Sequence, residues 1–365
     1  MLWGTKWVGF VMLLSNCVGD PKAECADPGA ICPLAGTGEL GWNGDGHPAT
    51  ESQLYWPTAV RIGPDGLMYV MDFNNMRLRR IDDDGALRTV VGTGEHLGAV
   101  EGARPLDTPL ENPIDFAFLS DGAIAIVSQH DPRVLRVKLG GHVQVLAGIG
   151  DQGDSGDDGP ALAATFVELS GIAVAKDGTI YVADGGAHRV RALTTDGRVI
   201  AVAGVGLPGN SGDGGPALGA LLMHPSGLAL DAAGNLYITD SGAHAIRRVL
   251  TQSGIIETVA GTGRAGDTGD GGSAKRARLN APEGVTLAPD GTLFVSDSGN
   301  NRVRRIDKAG DIGTIAGTGE PGYAGDNGPA VNAKLDGPSR LQFADGKLYI
   351  PDTGNGWVRV VYLAD

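Results

Sequence analysis

Residues 56–72 read WPTAVRIGPDGLMYVMD, and this pattern of two apolar runs around a glycine turn recurs five more times. The second run alternates apolar and polar residues, as a half-buried strand does. The five counterparts are NPIDFAFLSDGAIAIVS from Asn112, ELSGIAVAKDGTIYVAD from Glu168, HPSGLALDAAGNLYITD from His224, APEGVTLAPDGTLFVSD from Ala281 and GPSRLQFADGKLYIPD from Gly337. The second residue of successive copies lies 56, 56, 56, 57 and 56 residues further along. A spacing this regular predicts one supersecondary unit repeated six times.

Each unit is predicted to contain four strands, which in the first copy lie at residues 58–62, 67–72, 77–81 and 86–91. Asp-Gly turns between alternating runs are strong hairpin signals, so the four strands are expected to be antiparallel neighbours. The 60 glycines and the aromatic content of 5% suit many short strands joined by tight turns. Four antiparallel strands repeated radially make a β-propeller.

The two ends of the sequence predict how the ring closes. The sixth unit ends after its third strand, at residues 356–362. Residues 31–38, ICPLAGTG, match the TIAGTG of residues 314–319, which belongs to a fourth strand. The N-terminal strand is therefore expected to complete the last blade and to cover its edge. The prediction is an all-β, six-bladed β-propeller over residues 30–365, with four antiparallel strands in each blade.

Residues 1–17 predict an export signal. A short apolar run ends in the sequence LSNC, which resembles a bacterial lipobox except at Asn16. Cys17 is expected to carry the lipid, and residues 18–29 form a short linker. Ordinary cleaved secretion and an uncleaved N-terminus are the alternatives. The protein is thus expected outside the cytoplasm, as a bacterial lipoprotein of the outer membrane or cell surface or as a secreted protein.

Cys25 and Cys32 are the two cysteines that remain if Cys17 is lipidated. An even pair in an oxidising compartment predicts a disulfide, and two free thiols are the alternative. The spacing fits no zinc motif, so the cysteines predict no metal site.

The formal net charge of −14 and the pI of about 4.9 limit the partners. An acidic surface repels phosphate backbones, which argues against nucleic-acid binding. The same field favours solubility, and we expect a monomer. No segment reaches the length of a membrane-spanning helix, so contact with a membrane is expected only through the lipid anchor.

The run DSGNNRVRRI, residues 297–306, fits the pattern D-x-x-N-x-R-V-R-R-I and resembles the NHL repeat. The glycine-rich link at residues 261–282 resembles those of bacterial cell-surface NHL proteins and of the teneurin propeller. The resemblance implies the propeller fold but not an activity, because propellers host lyases, lactonases, hydrolases, sensors and binding platforms. Peptide-amidating lyases of similar fold take metal-binding histidines from the first residues of the inner strands. The matching positions here hold no histidine: Thr58, Ile114, Ser170, Ser226, Glu283 and Ser339.

An aspartate ends the second strand of five units, and an arginine follows seven residues later. These residues are Asp72 and Arg79, Asp184 and Arg191, Asp240 and Arg247, Asp297 and Arg304, and Asp352 and Arg359. The second unit lacks both, with Ser128 and Leu135 instead. Their joint loss indicates a cross-strand ion pair of structural function. A catalytic row of carboxylates is the alternative.

Five links between units contain a GDGGPA-like run, in which the aspartate is expected to hold the glycine turn. Nearby carboxylates form one group that offers oxygen ligands for calcium, namely Asp151, Asp154, Asp157 and Asp158. No known calcium-loop spacing is present, so no cofactor is predicted and calcium remains the alternative.

The strand directions place the long links and the loops between second and third strands on one face, where ligands are expected near the central channel. At the start of the first strand, most units have small or neutral residues, but three units have a charged residue instead, namely Asp115, Glu283 and Arg340. His130 and Asp131 lie in the neighbouring loop of the divergent second unit. These five residues are the predicted ligand site, for a cation, a sugar or a peptide terminus. An internal ion pair of Arg340 with Glu283 or Asp115 is the alternative.

No nucleophile elbow, zinc-protease motif, P-loop or dinucleotide fingerprint occurs in the sequence. We therefore expect a surface-exposed binding or scaffold module for a small molecule, peptide or protein. A propeller enzyme, a lyase or hydrolase that uses acidic residues and arginine at the channel, is the alternative.

Overall fold

The computed structural model describes residues 27–363, which form six antiparallel β-sheets arranged as the blades of a ring. We label the strands of each blade a to d from the channel outwards. Blade 1 contains Pro57–Ile62, Met68–Asp72, Arg77–Ile81 and Leu87–Val91. Blade 2 contains Pro113–Phe118, Ile124–Ser128, Val134–Val137 and Val143–Ala147. Blade 3 contains Leu169–Val174, Ile180–Asp184, Arg189–Leu193 and Arg198–Ala203.

The other three blades follow the same order. Blade 4 contains Pro225–Leu230, Leu236–Asp240, Ala245–Leu250 and Ile255–Ala260. Blade 5 contains Gly284–Leu287, Leu293–Asp297, Arg302–Ile306 and Asp311–Ala316. Blade 6 contains Gln342–Ala344, Lys347–Asp352, Trp357–Tyr362 and, as its strand d, Ala30–Gly36. The predicted six-bladed, four-stranded propeller is therefore confirmed.

The ring closes at both edges of blade 6. On the outside, the strand Ala30–Gly36 pairs antiparallel with strand c, and Ile31 lies opposite Val361. The Ile31 side chain is fully buried. On the inside, the backbone N–H of Arg340 donates to the carbonyl of Thr58 in blade 1 at 3.0 Å. The N-terminal strand thus completes the last blade, as its sequence predicts.

The links between blades cover the exposed edge of each strand d. Their two-residue strands Gly159–Pro160, Gly272–Ser273 and Gly328–Pro329 pair with the strands d of blades 3, 5 and 6. Single bridges of Pro48 with Ala86 and of Pro216 with Ile255 do the same in blades 1 and 4. Short 3₁₀ turns complete the links and the b–c loops, namely Ala49–Glu51, Phe73–Asn75, Ala161–Ala163, Ala217–Gly219, Ala274–Arg276, Ser298–Asn300, Ala330–Asn332 and Thr353–Asn355. A covered edge cannot recruit another strand, which protects the ring from aggregation.

The hydrophobic core lies between neighbouring blades as well as within them. Phe116 of blade 2 is fully buried and belongs to the same cluster as Tyr69 and Met71 of blade 1.

No helix among residues 27–363 is long and apolar enough to cross a membrane.

The predicted signal segment, Cys17 and Cys25 lie outside the described residues. Cys32 lies in the closing strand, where it is buried and pairs in register with Val360. Lipidation of Cys17 and a disulfide between Cys25 and Cys32 therefore stay predictions.

Candidate functional site at the channel mouth

The b–c loops and the links between blades share one face of the ring, which we call the mouth face. In blade 1, Asn75 Nδ2 donates to the carbonyl of Gly41 in the preceding link at 2.7 Å. The backbone N–H of Tyr55, at the end of that link, donates to Asp72 Oδ1 at 2.8 Å. Blades 5 and 6 repeat the first contact. The mouth face therefore has a rigid, hydrogen-bonded frame.

A buried arginine on strand c joins two carboxylates in four blades. In blade 1, Arg79 Nη1 lies 3.4 Å from Asp72 Oδ2, and both side chains are fully buried. Its Nη2 atom lies 3.2 Å from Asp45 of the glycine-rich link. Blades 4, 5 and 6 repeat this bridge, with Arg247 between Asp240 and Asp213, Arg304 between Asp297 and Asp270, and Arg359 between Asp352 and Asp326. The link aspartate, expected to hold its own turn, is thus a second partner of the arginine.

Burial of these aspartates is costly in the absence of the arginine. Burial raises the pKa of Asp72 to about 6 and that of Asp240 to about 7, although backbone N–H donors and the guanidinium groups oppose the shift. Desolvation disfavours the charged carboxylate, and the attraction of the guanidinium offsets part of the desolvation free energy. The geometry fits a structural pair, because both charges are hidden from any ligand.

In blade 3 the predicted ion pair of Asp184 with Arg191 is not formed. Arg191 Nε instead lies 2.8 Å from Asp157 of the link, and the guanidinium stacks over the Phe166 ring at 4.7 Å. The equivalent position of the other blades holds a leucine, so the contact of the arginine with a phenylalanine at this position is specific to blade 3. Asp184 accepts the backbone N–H groups of Val167 and Glu168 instead.

Two of the four carboxylates considered for calcium face guanidinium groups. Asp154 and Asp157 each lie 3.3 Å from Arg189, and Asp157 also pairs with Arg191. A calcium ion bound there would have to compete with two arginines.

Asp115 and Arg340 form the floor of the mouth rather than its surface. Asp115 is fully buried, and its Oδ1 atom lies 2.8 Å from Arg61 Nη2. Its Oδ2 atom accepts the backbone N–H of Ile172 in blade 3 at 3.2 Å and lies 3.9 Å from Arg340 Nε. These contacts favour the alternative of an internal ion pair. Both carboxylate oxygens of Asp115 already have partners, and the side chain is not exposed to a ligand.

Arg340 crosses the channel. Its backbone belongs to blade 6, yet its Nη2 atom donates to the carbonyl of Ser170 in blade 3 at 2.6 Å. Its Nη1 atom lies 3.4 Å from Glu283 Oε2 and 3.1 Å from Ser339 Oγ. Blades 3 and 6 face each other in a ring of six, so one buried side chain closes the channel at this depth. The Glu283 side chain remains 44% exposed.

The structure separates the two predicted residues of the blade 2 loop. Asp131 is buried, where it accepts the backbone N–H of Ala99 at 3.0 Å and pairs with Arg133 Nε at 2.6 Å. Asp131 braces the link at residues 92–112 and does not line the cavity, because its two oxygen atoms contact that link and its own loop. His130 is exposed, and its Nδ1 atom lies 3.8 Å from Glu111 Oε1.

A cavity of about 380 Å³ opens above Arg340. Trp56 and Phe73 give its wall two aromatic rings, and Glu283 and His224 give it charge. The rest of the wall is rich in hydroxyl and amide groups from all six blades, namely Thr58, Gln129, Ser170, Ser226, Ser241, Ser298, Ser339 and Thr353. An aromatic surface beside many hydrogen-bonding groups can hold a small polar ligand that also has apolar faces.

The position just before strand a holds a different residue in every blade, and three of its six residues, Trp56, His224 and Gly337, line the cavity. It holds Trp56, Asn112, Glu168, His224, Ala281 and Gly337. Five of these residues adopt the left-handed backbone region, with φ between 43° and 56°. For tryptophan and histidine this region is uncommon, which makes the position notable. The variation is visible when the six copies of the repeat are aligned, one position before the residues predicted for the site.

Glu168 and His224 occupy this position in neighbouring blades and form a pair. His224 Nε2 lies 3.6 Å from Glu168 Oε1. The neighbouring Glu168 carboxylate raises the pKa of His224, although burial opposes the shift. The same contact lowers the pKa of Glu168. The pair therefore places an imidazole at the cavity that stays protonated to higher pH than usual.

His188 and His244, near the mouth in sequence, are acceptors within the frame. His188 Nδ1 accepts the backbone N–H of His224 at 3.1 Å, and His244 Nδ1 accepts that of Ala281 at 3.0 Å. Asn301 does the same for Gly337. Three blades thus use one device to fix the residue before the next strand a, which gives these histidines a structural function.

Two models of known protein families match parts of this chain. The model of the teneurin NHL domain matches residues 199–266 and 263–322, and that of the NHL repeat matches residues 166–193. The chain is 32% identical over 257 residues to the chloroplastic protein SUPPRESSOR OF QUENCHING 1 of Arabidopsis thaliana, covering 66% of this chain and 24% of that protein. It is 27% identical over 348 residues to teneurin-1 of Mus musculus, covering 86% and 12%. The chain thus spans a quarter or less of these relatives.

Solved structures of quite different proteins share the fold. An auxiliary nutrient binding protein from Bacteroides thetaiotaomicron superposes with a TM-score of 0.66 at 15% identity, over 90% of this chain and 75% of that one. A streptogramin B lyase superposes with a TM-score of 0.54 at 15% identity, over 85% and 94%. At this identity the likeness shows the fold alone.

Proposed function

Because this chain is a six-bladed propeller of the NHL-repeat family, we propose that it is a binding module whose ligand occupies the cavity at the channel mouth. The observation that carries the proposal is the cavity of about 380 Å³ itself, with its hydroxyl-rich wall over a closed floor. A closed floor makes the site a cup, so a ligand is held at the mouth and does not pass through.

The chemistry of the wall favours a small hydroxyl-rich ligand, such as one or two sugar rings. The ring face of Trp56 can stack on the C–H face of a sugar, while the Glu283 carboxylate can accept hydrogen bonds from the sugar hydroxyl groups. The serine and threonine hydroxyls both donate and accept, which suits a ligand with many hydroxyl groups. The nutrient-binding neighbour is compatible with a bound ligand, and the lyase neighbour is compatible with catalysis on the same fold.

Saturation-transfer NMR on the purified protein tests this proposal with glucose, galactose, mannose, N-acetylglucosamine and their common disaccharides. At least one sugar is expected to bind, and Trp56→Asn or Glu283→Gln should weaken it by about tenfold, the equivalent of about 1.4 kcal/mol. Asparagine tolerates the backbone conformation of Trp56. Trp42→Asn is the matched control, because Trp42 is 46% exposed against 44% for Trp56 and lies outside the cavity. Binding that survives both cavity variants contradicts the site.

Catalysis by a lyase or hydrolase is the second candidate, and the pair of Glu168 and His224 is the observation that favours it. A protonated imidazole at the wall of a cavity can act as a general acid. His224→Gln should then abolish conversion of a bound sugar while the sugar still binds. Unchanged sugar after long incubation with the native protein leaves the binding module as the function.

We also propose that the protein acts outside the cytoplasm, anchored through Cys17. The LSNC sequence supports this proposal. Metabolic labelling with a palmitate analogue should mark the native protein and not Cys17→Ser. A disulfide between Cys25 and Cys32 should leave neither thiol open to alkylation without reductant. Label retained by Cys17→Ser, or alkylation of both cysteines, contradicts these expectations.

A further inference from the structure

We propose that His96, Glu111 and His130 bind a divalent transition metal ion, of which Zn²⁺ is the best match, on the mouth face of blade 2. Their potential ligand atoms all lie within 4.8 Å of one another. His96 Nδ1 is 2.9 Å and His130 Nδ1 is 3.8 Å from the same oxygen atom, Glu111 Oε1. Two imidazoles therefore converge on one carboxylate.

The three residues come from segments that depart from the repeat. His96 and Glu111 lie in the link at residues 92–112, which lacks the GDGGPA-like run of the other five links. His130 lies in the b–c loop of the blade that lacks the aspartate and arginine pair. The loss of the standard frame and the gain of the cluster coincide in one blade, so the cluster is specific to it.

A replacement frame holds the two segments together. Asp131, next to His130, accepts the backbone N–H of Ala99 at 3.0 Å, and Arg133 Nη2 donates to the carbonyl of Ala99 at 2.8 Å. One bond of the standard repeat also remains: the backbone N–H of Gln129 donates to the carbonyl of Asn112, next to Glu111, at 3.0 Å, as that of Gly185 donates to Glu168 in blade 3. Both contacts fix backbone beside a ligand residue. The metal site is thus preorganised at the level of the main chain.

The ligand set selects the class of metal. Imidazole nitrogen prefers zinc and similar transition metals over calcium or magnesium, which prefer oxygen ligands. Tetrahedral zinc with bonds of about 2.0–2.1 Å needs its ligand atoms about 3.3 Å apart. The His96 and His130 side chains are 53% and 60% exposed, so small rotations are free to close the remaining gap. Three protein ligands leave a fourth position open to water or a ligand.

The proposed metal site lies beside the cavity, but the proposal does not require that the cavity binds a sugar. Gln129 lines the cavity and directly precedes His130. The net charge of −14 also attracts cations to the surface. A metal bound here would present its open position on the same face as the cavity.

Calorimetric titration of tag-free, chelator-treated full-length protein with ZnCl₂ tests the site, and Co²⁺ absorption reports tetrahedral coordination. The native protein is expected to bind one Zn²⁺, and His96→Gln, Glu111→Gln or His130→Gln should each weaken binding by at least about tenfold. His142→Gln is the matched control, an exposed histidine on the opposite turn of the same blade. Circular dichroism confirms that each variant folds. Two results would overturn the proposal. One is that the native protein does not bind Zn²⁺ with a Kd of about 100 µM or lower, which corresponds to a binding free energy of about −5.5 kcal/mol. The other is that the three ligand variants bind Zn²⁺ as tightly as the native protein.

Discussion

The Nη2 atom of Arg340 lies 2.6 Å from the carbonyl oxygen of Ser170 on the opposite side of the ring. A single side chain therefore spans the channel from blade 6 to blade 3. The same guanidinium lies 3.9 Å from the buried carboxylate of Asp115. This arrangement converts a tube through the propeller into a cup with a charged floor, which is the basis of the proposed function.

Replacing Arg340 by glutamine should lower the stability of the fold. The change leaves the carboxylate of Asp115 with Arg61 alone, and a buried charge that loses a partner costs on the order of 3 kcal/mol. Urea unfolding measures the free energy, with the exposed Arg264→Gln as the control. Combining Arg340→Gln with Asp115→Asn should cost less than the sum of the two single changes. Additive losses would show that the two side chains do not interact.

The N-terminal strand should contribute as much as an internal one. Ile31 in the closing strand and Ile256 in strand d of blade 4 occupy equivalent positions, and both are fully buried. Ile31→Ala and Ile256→Ala should each cost about 3 kcal/mol, because each leaves a cavity in a blade core. Denaturant melts of the two variants check this. A negligible cost for Ile31→Ala alone would mean that the strand is a dispensable tail.

The two carboxylates around Arg247 should differ in energetic weight. Asp240 is fully buried, whereas the side chain of Asp213 is half exposed. Asp240→Asn should cost about 3 kcal/mol and Asp213→Asn about 1 kcal/mol, since solvent screens the exposed partner. Both changes preserve side-chain size, so chemical denaturation compares charge directly. Equal costs for the two variants would contradict the assignment of Asp240 as the principal partner.

The pair of Glu168 and His224 should show in a pH titration. In chelator-treated protein, the NMR signal of His224 should titrate above the usual histidine pKa of about 6.5, because Glu168 stabilises the imidazolium. His188 should titrate below that value because burial lowers its pKa. Glu168→Gln should lower the pKa of His224 and leave His188 nearly unchanged.

The same pair predicts a pH-dependent contribution to stability. His224 has a raised pKa in the folded state, so its contribution is complete below the unfolded pKa and is lost as the pH rises through the folded pKa. Glu168→Gln should therefore destabilise the protein more at pH 6 than at pH 8. A larger loss at pH 8 would reverse the sign and refute the pairing.

The repeat made the fold predictable to within one residue at many strand ends. The strands predicted at 58–62 and 77–81 correspond to Pro57–Ile62 and Arg77–Ile81. Closure by the N-terminal strand was also readable, because its sequence matches an internal fourth strand. Internal comparison of six copies supplies the information that an isolated blade would lack.

The site was less predictable, because contacts across the ring join residues that are distant in sequence. Asp115, Glu283 and Arg340 do converge, yet sequence could not show that Asp115 is fully buried. Asp131 lies beside His130 in sequence but faces the other way, toward Arg133. Side chains on adjacent loop residues diverge, and only the packed structure decides which one meets the channel.

A crystal structure of the protein soaked with the best-binding sugar tests the central claim most directly. The account predicts density for the sugar in the cup above Arg340, stacked on Trp56 and within hydrogen-bond distance of Glu283. Density on the face opposite the mouth face, with the cup unoccupied at saturating sugar, would contradict it.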